Sequence, residues 1–357
     1  MSSIALESIY IYIPNKGAPV AFAVAFLIVA VVHAWQSTRY KAWKWTVLHP
    51  LCALMFAVGF AVREVGAFNY EVTRPNINIY ITSTCFIYFA PPLLELANYH
   101  VLGRTLYYVH YLSPLHPGRV LTTFGFLSTL VEMLNGIGVS YSANSYLPQG
   151  YITAGHDLMR ASLILQIVVI ACFALLATVF YRRCQHAGVL NRRVKTPLQI
   201  LYVSMGLILV RTIYRTVEYF DLSDASTASV TNVDELNPLL RNEWYFWVFE
   251  AAIMLINSCL WNVFHPGRYL PVDKNLYLDK DGVTEVLGDG VDDKRSWLMT
   301  LCDPFGLLNG PRGKRRPDGS RTMWMKLYDP FGWLESPRGN KSRMSPESYQ
   351  NNAHSVV

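Results

Sequence analysis

The chain has 357 residues, of which 52% are hydrophobic and only 16% charged, with a net charge of +6. Soluble chains carry about 25% charged residues, so this composition excludes an ordinary soluble globular protein. The basic residues sit in short loops and a tail, which excludes a nucleic-acid surface and makes the charge a matter of membrane topology.

Residues 1–17 hold no basic leader, and Glu7 precedes the first apolar run, so the start reads as an extracellular segment without a cleaved signal peptide. Seven apolar runs follow, at Ala18–Trp35, Val47–Phe68, Ile79–Leu96, Val120–Val139, Leu158–Tyr181, Leu198–Phe220 and Trp244–Phe264. Each is near the roughly 20 residues that cross a ~30 Å hydrocarbon core as a helix. They are apolar on nearly every face, unlike the alternating strands of a barrel. The fold class is therefore all-α: a polytopic bundle of seven transmembrane helices over 18–268, followed by a largely flexible tail over 269–357.

The second run carries Arg63 and Glu64, and the third carries Glu95 together with Pro91-Pro92, whose missing N–H groups predict a kink or hinge. On the fourth, Ser128, Glu132 and Asn135 share one helical face, and on the sixth Arg211, Arg215 and Glu218 do the same. Glu243, Glu250 and Asn257 recur every seven residues at the seventh, which predicts one face there too. Gly125, Gly136, Gly138 and Gly206 read as sites of close helix approach. A charge at bilayer depth costs at least about 2.5 kcal/mol, so these seams predict a polar interior. It is either an outward-facing cavity or a set of static Arg–Glu pairs that fix packing.

Lys and Arg assign the orientation. Arg39, Lys41, Lys44, Arg104, Arg119, Arg182, Arg183, Arg192, Arg193 and Lys195 fall in one set of loops, against Lys16, Arg74, Arg160 and Arg241 in the other. The first set is assigned to the cytosol, which puts the amino terminus and the acidic loop 221–243 outside and the tail inside. Cys52, Cys85, Cys172 and Cys259 lie in spans, Cys184 just beyond one and Cys302 in the tail, so no disulfide framework is expected.

After Pro271, Asp279-Lys280-Asp281-Gly282 and Gly288-Asp289-Gly290 predict loop or disorder. A 26-residue tandem duplication then occupies about 297–343: Asp303-Pro304-Phe305-Gly306 and Pro311-Arg312-Gly313 recur as Asp329-Pro330-Phe331-Gly332 and Pro337-Arg338-Gly339. Aromatic and basic residues in each copy suit an anionic leaflet. Asp-Pro-Phe also resembles the tripeptide that clathrin adaptors bind.

The third span, with Ala90-Pro91 leading to Tyr99 and Leu102-Gly103-Arg104, begins a pattern. It continues through Arg211, Arg215 and Glu218 on the sixth span and Glu243-Trp244 and Glu250 on the seventh, and closes on His265-Pro266-Gly267. This order resembles the fungal RTA-like lipid-translocating exporter family over about Tyr12–Pro271. Where members often place Asp and Gln on the fourth span, this chain has Ser128 and Asn135, and it has Glu250 where they place Asp. The resemblance implies a plasma-membrane exporter of amphiphilic lipids such as sphingoid long-chain bases, linked to resistance to toxic amphiphiles. It implies neither an enzyme nor a cofactor nor a nucleic-acid partner. The residues expected to bind or pass the lipid are Glu132, Glu250, Arg211, Arg215, Glu218, Glu64, Arg63, Asn135 and Asn257, with His265, Pro266 and Gly267 at the cytosolic boundary.

Two other readings stay open. Seven spans also describe a receptor or sensor of lipid asymmetry, although no Asp-Arg-Tyr or Asn-Pro-x-x-Tyr element is present. His33, His49, His116 and His265 all fall near the same predicted membrane surface, where three imidazoles and a water would make a zinc-dependent lipid hydrolase. Their spacing contains no H-x-x-x-H pair, and His116-Pro117-Gly118-Arg119, repeated as His265-Pro266-Gly267-Arg268, reads first as a boundary element. The chain has no G-x-x-x-x-G-K-[ST] loop for ATP.

Overall fold

A computed structural model describes residues 10, 12–69, 71, 73–143, 147–227 and 237–288 of the chain. Seven helices in it are long and apolar enough to cross a membrane. They are α1 (Ala18–Arg39), α2 (Leu48–Phe68), α3 (Arg74–Tyr108), α4 (Pro117–Ala143), α5 (Gln149–His186), α6 (Arg192–Thr227) and α7 (Trp244–Arg268). Each apolar run read from the sequence lies within one of them, except that α2 starts one residue after Val47. Several helices outrun the bilayer: α5 has 38 residues, about 57 Å at 1.5 Å per residue.

α1 packs against α2 and α7, α2 against α3, α4 against α5, and α6 against α5 and α7. α3 touches α4 and also reaches α6, so it runs through the middle of the ring. Along α1, Val20, Val24, Leu27, Ile28 and Val31 are exposed at helical spacing, which marks a lipid-facing stripe. The opposite side of α1 buries Phe26 in a stack with Phe56 and Phe60 of α2, at 4.6 and 5.7 Å between ring centroids.

Lipid tails are as apolar as leucine, so helices in a membrane associate through close packing rather than burial from water. At Gly59 an added Cβ would lie 2.8 Å from Ile87, bringing α2 onto α3. At Gly138 and Gly155 the backbones of α4 and α5 approach so closely that each added Cβ would meet the other glycine's carbonyl at 2.9 Å. Of the glycines expected to serve packing, Gly138 does so and Gly125 makes ordinary contact with Leu96, whereas Gly136 and Gly206 face open space. Pro91 and Pro92 do not interrupt α3, which continues helical through both. Cys52 of α2 donates its thiol to the Ala90 carbonyl at 3.1 Å, just before the proline pair.

α7 is not uniform. It is α-helical over Trp244–Phe246, π-helical over Trp247–Ala252 and α-helical again over Ile253–Val263. The wider π turns break the seven-residue repeat. Glu243 consequently meets α2 while Glu250 and Asn257 meet α6, which corrects the expectation of a single face.

The start of the tail is folded around the first of the two segments that the sequence marked as loop or disorder. Leu276–Leu278 pairs antiparallel with Glu285–Leu287. The polar run Asp279-Lys280-Asp281-Gly282 supplies the turn, with Gly282 at φ 73, a conformation glycine adopts readily. Leu278 is fully buried. Tyr108 donates to Glu285 at 2.8 Å, Arg104 to the Val272 carbonyl at 3.0 Å and Asn191 to the Gly282 carbonyl at 3.2 Å, while Arg193 pairs with Glu285. The hairpin thus bridges the end of α3 and the α5–α6 connection. The tandem duplication, Cys302, the adaptor-like tripeptides, most of 1–17 and part of the acidic loop 221–243 lie outside the described residues.

Candidate functional site

The polar residues of the seven helices form a column of side-chain groups along the bundle. Nearest the end where α1 begins, Arg63 of α2 donates to Glu243 and to the Tyr12 hydroxyl, both at 3.0 Å. Its guanidinium lies 4.2 Å from the Phe246 ring centroid, a cation–π contact that favours a buried arginine. Glu243 also accepts from the Asn15 backbone at 2.7 Å, so residues 12–15 are tied over this end. Burial pushes the Tyr12 hydroxyl up to about 12, which keeps it neutral beside Arg63. Glu64, adjacent in sequence, turns away and accepts from the Gly17 backbone at 3.2 Å.

One layer further in, Arg215 of α6 pairs with Glu218 one turn on, donates to Tyr88 of α3 at 2.8 Å and lies over that ring at 3.9 Å. Tyr214 donates to the second oxygen of Glu218 at 3.0 Å. Below this layer Arg211 meets Glu250 in a two-toothed contact, Nε at 3.0 Å from both carboxylate oxygens and Nη2 at 2.7 Å from Oε1. Glu250 is fully buried and sits in the π-helical stretch, where π turns often mark functional positions. Asn257 donates to the Ser204 carbonyl at 3.3 Å, and the Ser204 hydroxyl joins Asn98 of α3 and Trp261 of α7 at 2.9 and 3.0 Å.

Among the described residues, Glu95 and Glu132, two carboxyls inside the bundle, show no arginine salt bridge. Glu95 of α3 is 1% exposed. It accepts a short bond from Tyr99 and one of 3.3 Å from Gln166 of α5. The Tyr99 hydroxyl also lies 3.0 Å from Ser128 of α4. Glu132, one turn beyond Ser128, is half-buried and stands three residues before Asn135 on the same face of α4. Both acids feel Arg211 electrostatically, and they feel each other. That arginine is already committed to Glu250.

Of the expected residues, Arg63, Arg215, Glu218, Arg211 and Glu250 enter three ion pairs, Arg63–Glu243, Arg215–Glu218 and Arg211–Glu250, Glu132 and Asn135 stand in a second group that shows no arginine salt bridge among the described residues, and Glu64 and Asn257 belong to neither. Glu95, Tyr99, Ser128 and Gln166 complete that second group. The site expected from the sequence left these four and Glu243 out. Two signals were available: Tyr99 follows Glu95 by one helical turn, and Gln166 stands in an otherwise apolar run.

At the hairpin end, His33, His49 and His265 gather, with ring centroids 5.4 Å apart for His33–His49 and 6.3 Å for His33–His265. Each spends one ring nitrogen on the frame: His33 meets the Ser258 carbonyl at 3.1 Å, His49 the Thr46 carbonyl at 3.3 Å and His265 the Gly267 N–H at 3.2 Å. His116 instead caps the start of α4 by accepting from Gly118 at 3.3 Å. The two His-Pro-Gly-Arg copies therefore fold alike, each histidine closing a turn on its own glycine and carrying the Arg N–H on its carbonyl at 2.9 Å. Pro266 and Gly267 sit in that turn, at the end of α7. Among the described residues, no group of three or more His, Cys, Asp or Glu is arranged to hold a metal ion.

Residues 50–273 match the family model described as "RTA1 like protein". A "Lipid-translocating exporter-like protein RTA1" from Leptosphaeria maculans is 46% identical over 84% of this chain and 59% of its own length. The chain therefore spans under two thirds of that relative. A "Probable lipid transporter atnI" from Emericella nidulans is 28% identical over 74% of this chain and 68% of its own. "Protoporphyrin uptake protein 1" of Saccharomyces cerevisiae is 25% identical over 70% and 88%. No solved structure matches the chain.

Proposed function

The chain belongs to the family of RTA1-like proteins, and from that premise we propose that it carries cationic amphiphilic lipids, long-chain bases in particular, across the bilayer without converting them chemically. Its setting in this reading is the plasma membrane, with the end where α1 begins facing outward, as the bias of Lys and Arg among the loops suggests. Lipid-transporter relatives support the general activity.

The observation that carries the choice of substrate is the pair of carboxyls with no arginine salt bridge. Arg63, Arg215 and Arg211 are each matched by their own glutamate, so an arriving ammonium finds no vacancy there. Glu132 is partly accessible, carries Asn135 beside it and lies next to Glu95 in the electrostatic sense. A buried carboxylate favours a cationic partner strongly because water does not screen the attraction. The ammonium of a long-chain base fits at Glu132, with its hydroxyls on Asn135 and Ser128 and its single chain in the lipid beside α4, whose Met133 and Ile137 are exposed. The three ion pairs act as struts that hold the helices around this position.

The test is movement of a labelled long-chain base across liposomes containing the purified chain, beside its N-acylated analogue, which has the same chain and no charge. Faster movement of the base alone is the expected result. Equal rates for both would remove the carboxyl site from the mechanism, and no movement of either would remove transport.

A further inference from the structure

The inner group of ionisable side chains is unbalanced in charge. Glu95 and Glu132 both lie within electrostatic reach of Arg211, but Glu250 takes its guanidinium through three short contacts. If all were ionised, two carboxylates within reach of each other would be left with no cation of their own. Like-charged neighbours removed from water do not both ionise; they keep a proton between them. The groups that hydrogen-bond Glu95 are neutral, Tyr99 on its own helix and Gln166 on α5, and the next member of the chain, Ser128 on α4, is neutral too.

A hydrogen-bonded chain leads from Glu95 to the face of α4 that carries Glu132. The Tyr99 hydroxyl donates to Glu95 and stands 3.0 Å from the Ser128 hydroxyl, and Ser128 precedes Glu132 by four residues on one face of α4. Each hydroxyl both donates and accepts, so the chain can reverse. With the proton on Glu95, that carboxyl donates to Tyr99 and Tyr99 donates to Ser128; with the proton on Glu132, the bonds point the other way.

Resting on the transport reading above, we propose that Glu95 and Glu132 share one proton and that the ammonium of the lipid displaces it, so that each cation crosses in exchange for one proton moving oppositely. Binding breaks one carboxyl O–H bond and releases the proton to water at the mouth. The ammonium forms an ion pair and no covalent bond. Release on the far side takes a proton back. The charge of the occupied pair is the same with proton or ammonium, so the exchange is electrically silent.

A quaternary N,N,N-trimethyl long-chain base is the appropriate probe, because it has no neutral form that could leak across and follow a pH gradient by itself. The full chain is placed in liposomes with a pH-sensitive dye in the lumen, and the probe is added outside. Expected is luminal alkalinisation with one proton leaving per cation entering, at a rate that a potassium-set membrane voltage does not change. Glu95→Gln leaves a single carboxylate, so cation movement continues, the luminal pH stays constant and the rate becomes voltage-dependent. Tyr99→Phe keeps the ring against Phe124 and Phe173 but cuts the path, so both fluxes slow together at an unchanged one-to-one ratio. Probe movement by the unaltered chain with no luminal pH change overturns the exchange while leaving transport standing. No probe movement overturns both. If Glu95→Gln does not fold, the stoichiometry and voltage response of the unaltered chain decide the matter alone.

Discussion

Removing a charge has opposite consequences on the two kinds of carboxyl in this bundle. Glu250 is fully buried against Arg211, so Glu250→Gln strands a guanidinium and is expected to lower stability by about 3–5 kcal/mol, read as a large drop in the thermal midpoint of the purified protein. Arg211→Met combined with Glu250→Leu removes both charges and is expected to recover most of that loss, since a buried ion pair is often replaceable by apolar residues. Glu132 lacks a cation to strand, so Glu132→Gln is expected to leave the midpoint in place while abolishing cation movement. A midpoint that falls as far for Glu132→Gln as for Glu250→Gln would contradict this division. The sequence showed Arg211, Arg215 and Glu218 on one face because their spacing on one helix is visible in it. The carboxyl that each arginine takes was hidden, because Glu250 stands 39 positions from Arg211 and Glu243 stands 180 from Arg63, and only helix packing brings them together.

At the scale of helices and turns, close approach is concentrated where glycines face each other. Gly155→Val forces a side chain against the Ser142 N–H and the Gly138 carbonyl, 2.7 and 2.9 Å from the new Cβ, and is expected to cost about 1–3 kcal/mol through overpacking. Gly206→Ala, in open space on α6, is expected to raise stability by up to about 1 kcal/mol; thermal unfolding of both variants checks the contrast. The sequence did not separate these glycines, because composition marks where a helix is allowed to come close and not whether one does. The π turns of α7 were hidden for a similar reason: they follow no residue pattern, and Glu250, which meets Arg211 of α6, stands within them. The hairpin was half legible, its turn from Asp279 to Gly282 and not its strands, which have three residues each.

That hairpin has its own pH dependence. Its Tyr277 ring packs edge-on against His110 at 4.8 Å, and burial holds the imidazole below its usual value of 6.5. The undocked histidine protonates near 6.5, so docking is at full strength above that pH and weakens as pH falls from 6.5 through the lower docked value. The protection of amides over 276–287, after correction for the intrinsic slowing of exchange with falling pH, should drop between pH 7.5 and 5.5, and His110→Phe should remove that drop. An equal loss of protection in that variant would assign the effect elsewhere.

For the whole molecule, seven helices long and apolar enough to cross a membrane hold a column of paired charges between them, and that column contains two acids, Glu95 and Glu132, that show no arginine salt bridge among the described residues. The seven helices followed from hydropathy alone, because a membrane imposes length and apolarity on every span. The site followed only in part, because its neutral members announce themselves by contact rather than by charge. The three arginine pairs close the bundle around Glu95 and Glu132, and the account turns on that pair as the seat of a cation. The most direct measurement is saturable binding of a radiolabelled quaternary long-chain base to the purified chain, beside the Glu95→Gln/Glu132→Gln double variant with its thermal midpoint intact. The account predicts one site per chain in the unaltered protein and none in the variant. Undiminished binding by the variant would contradict it.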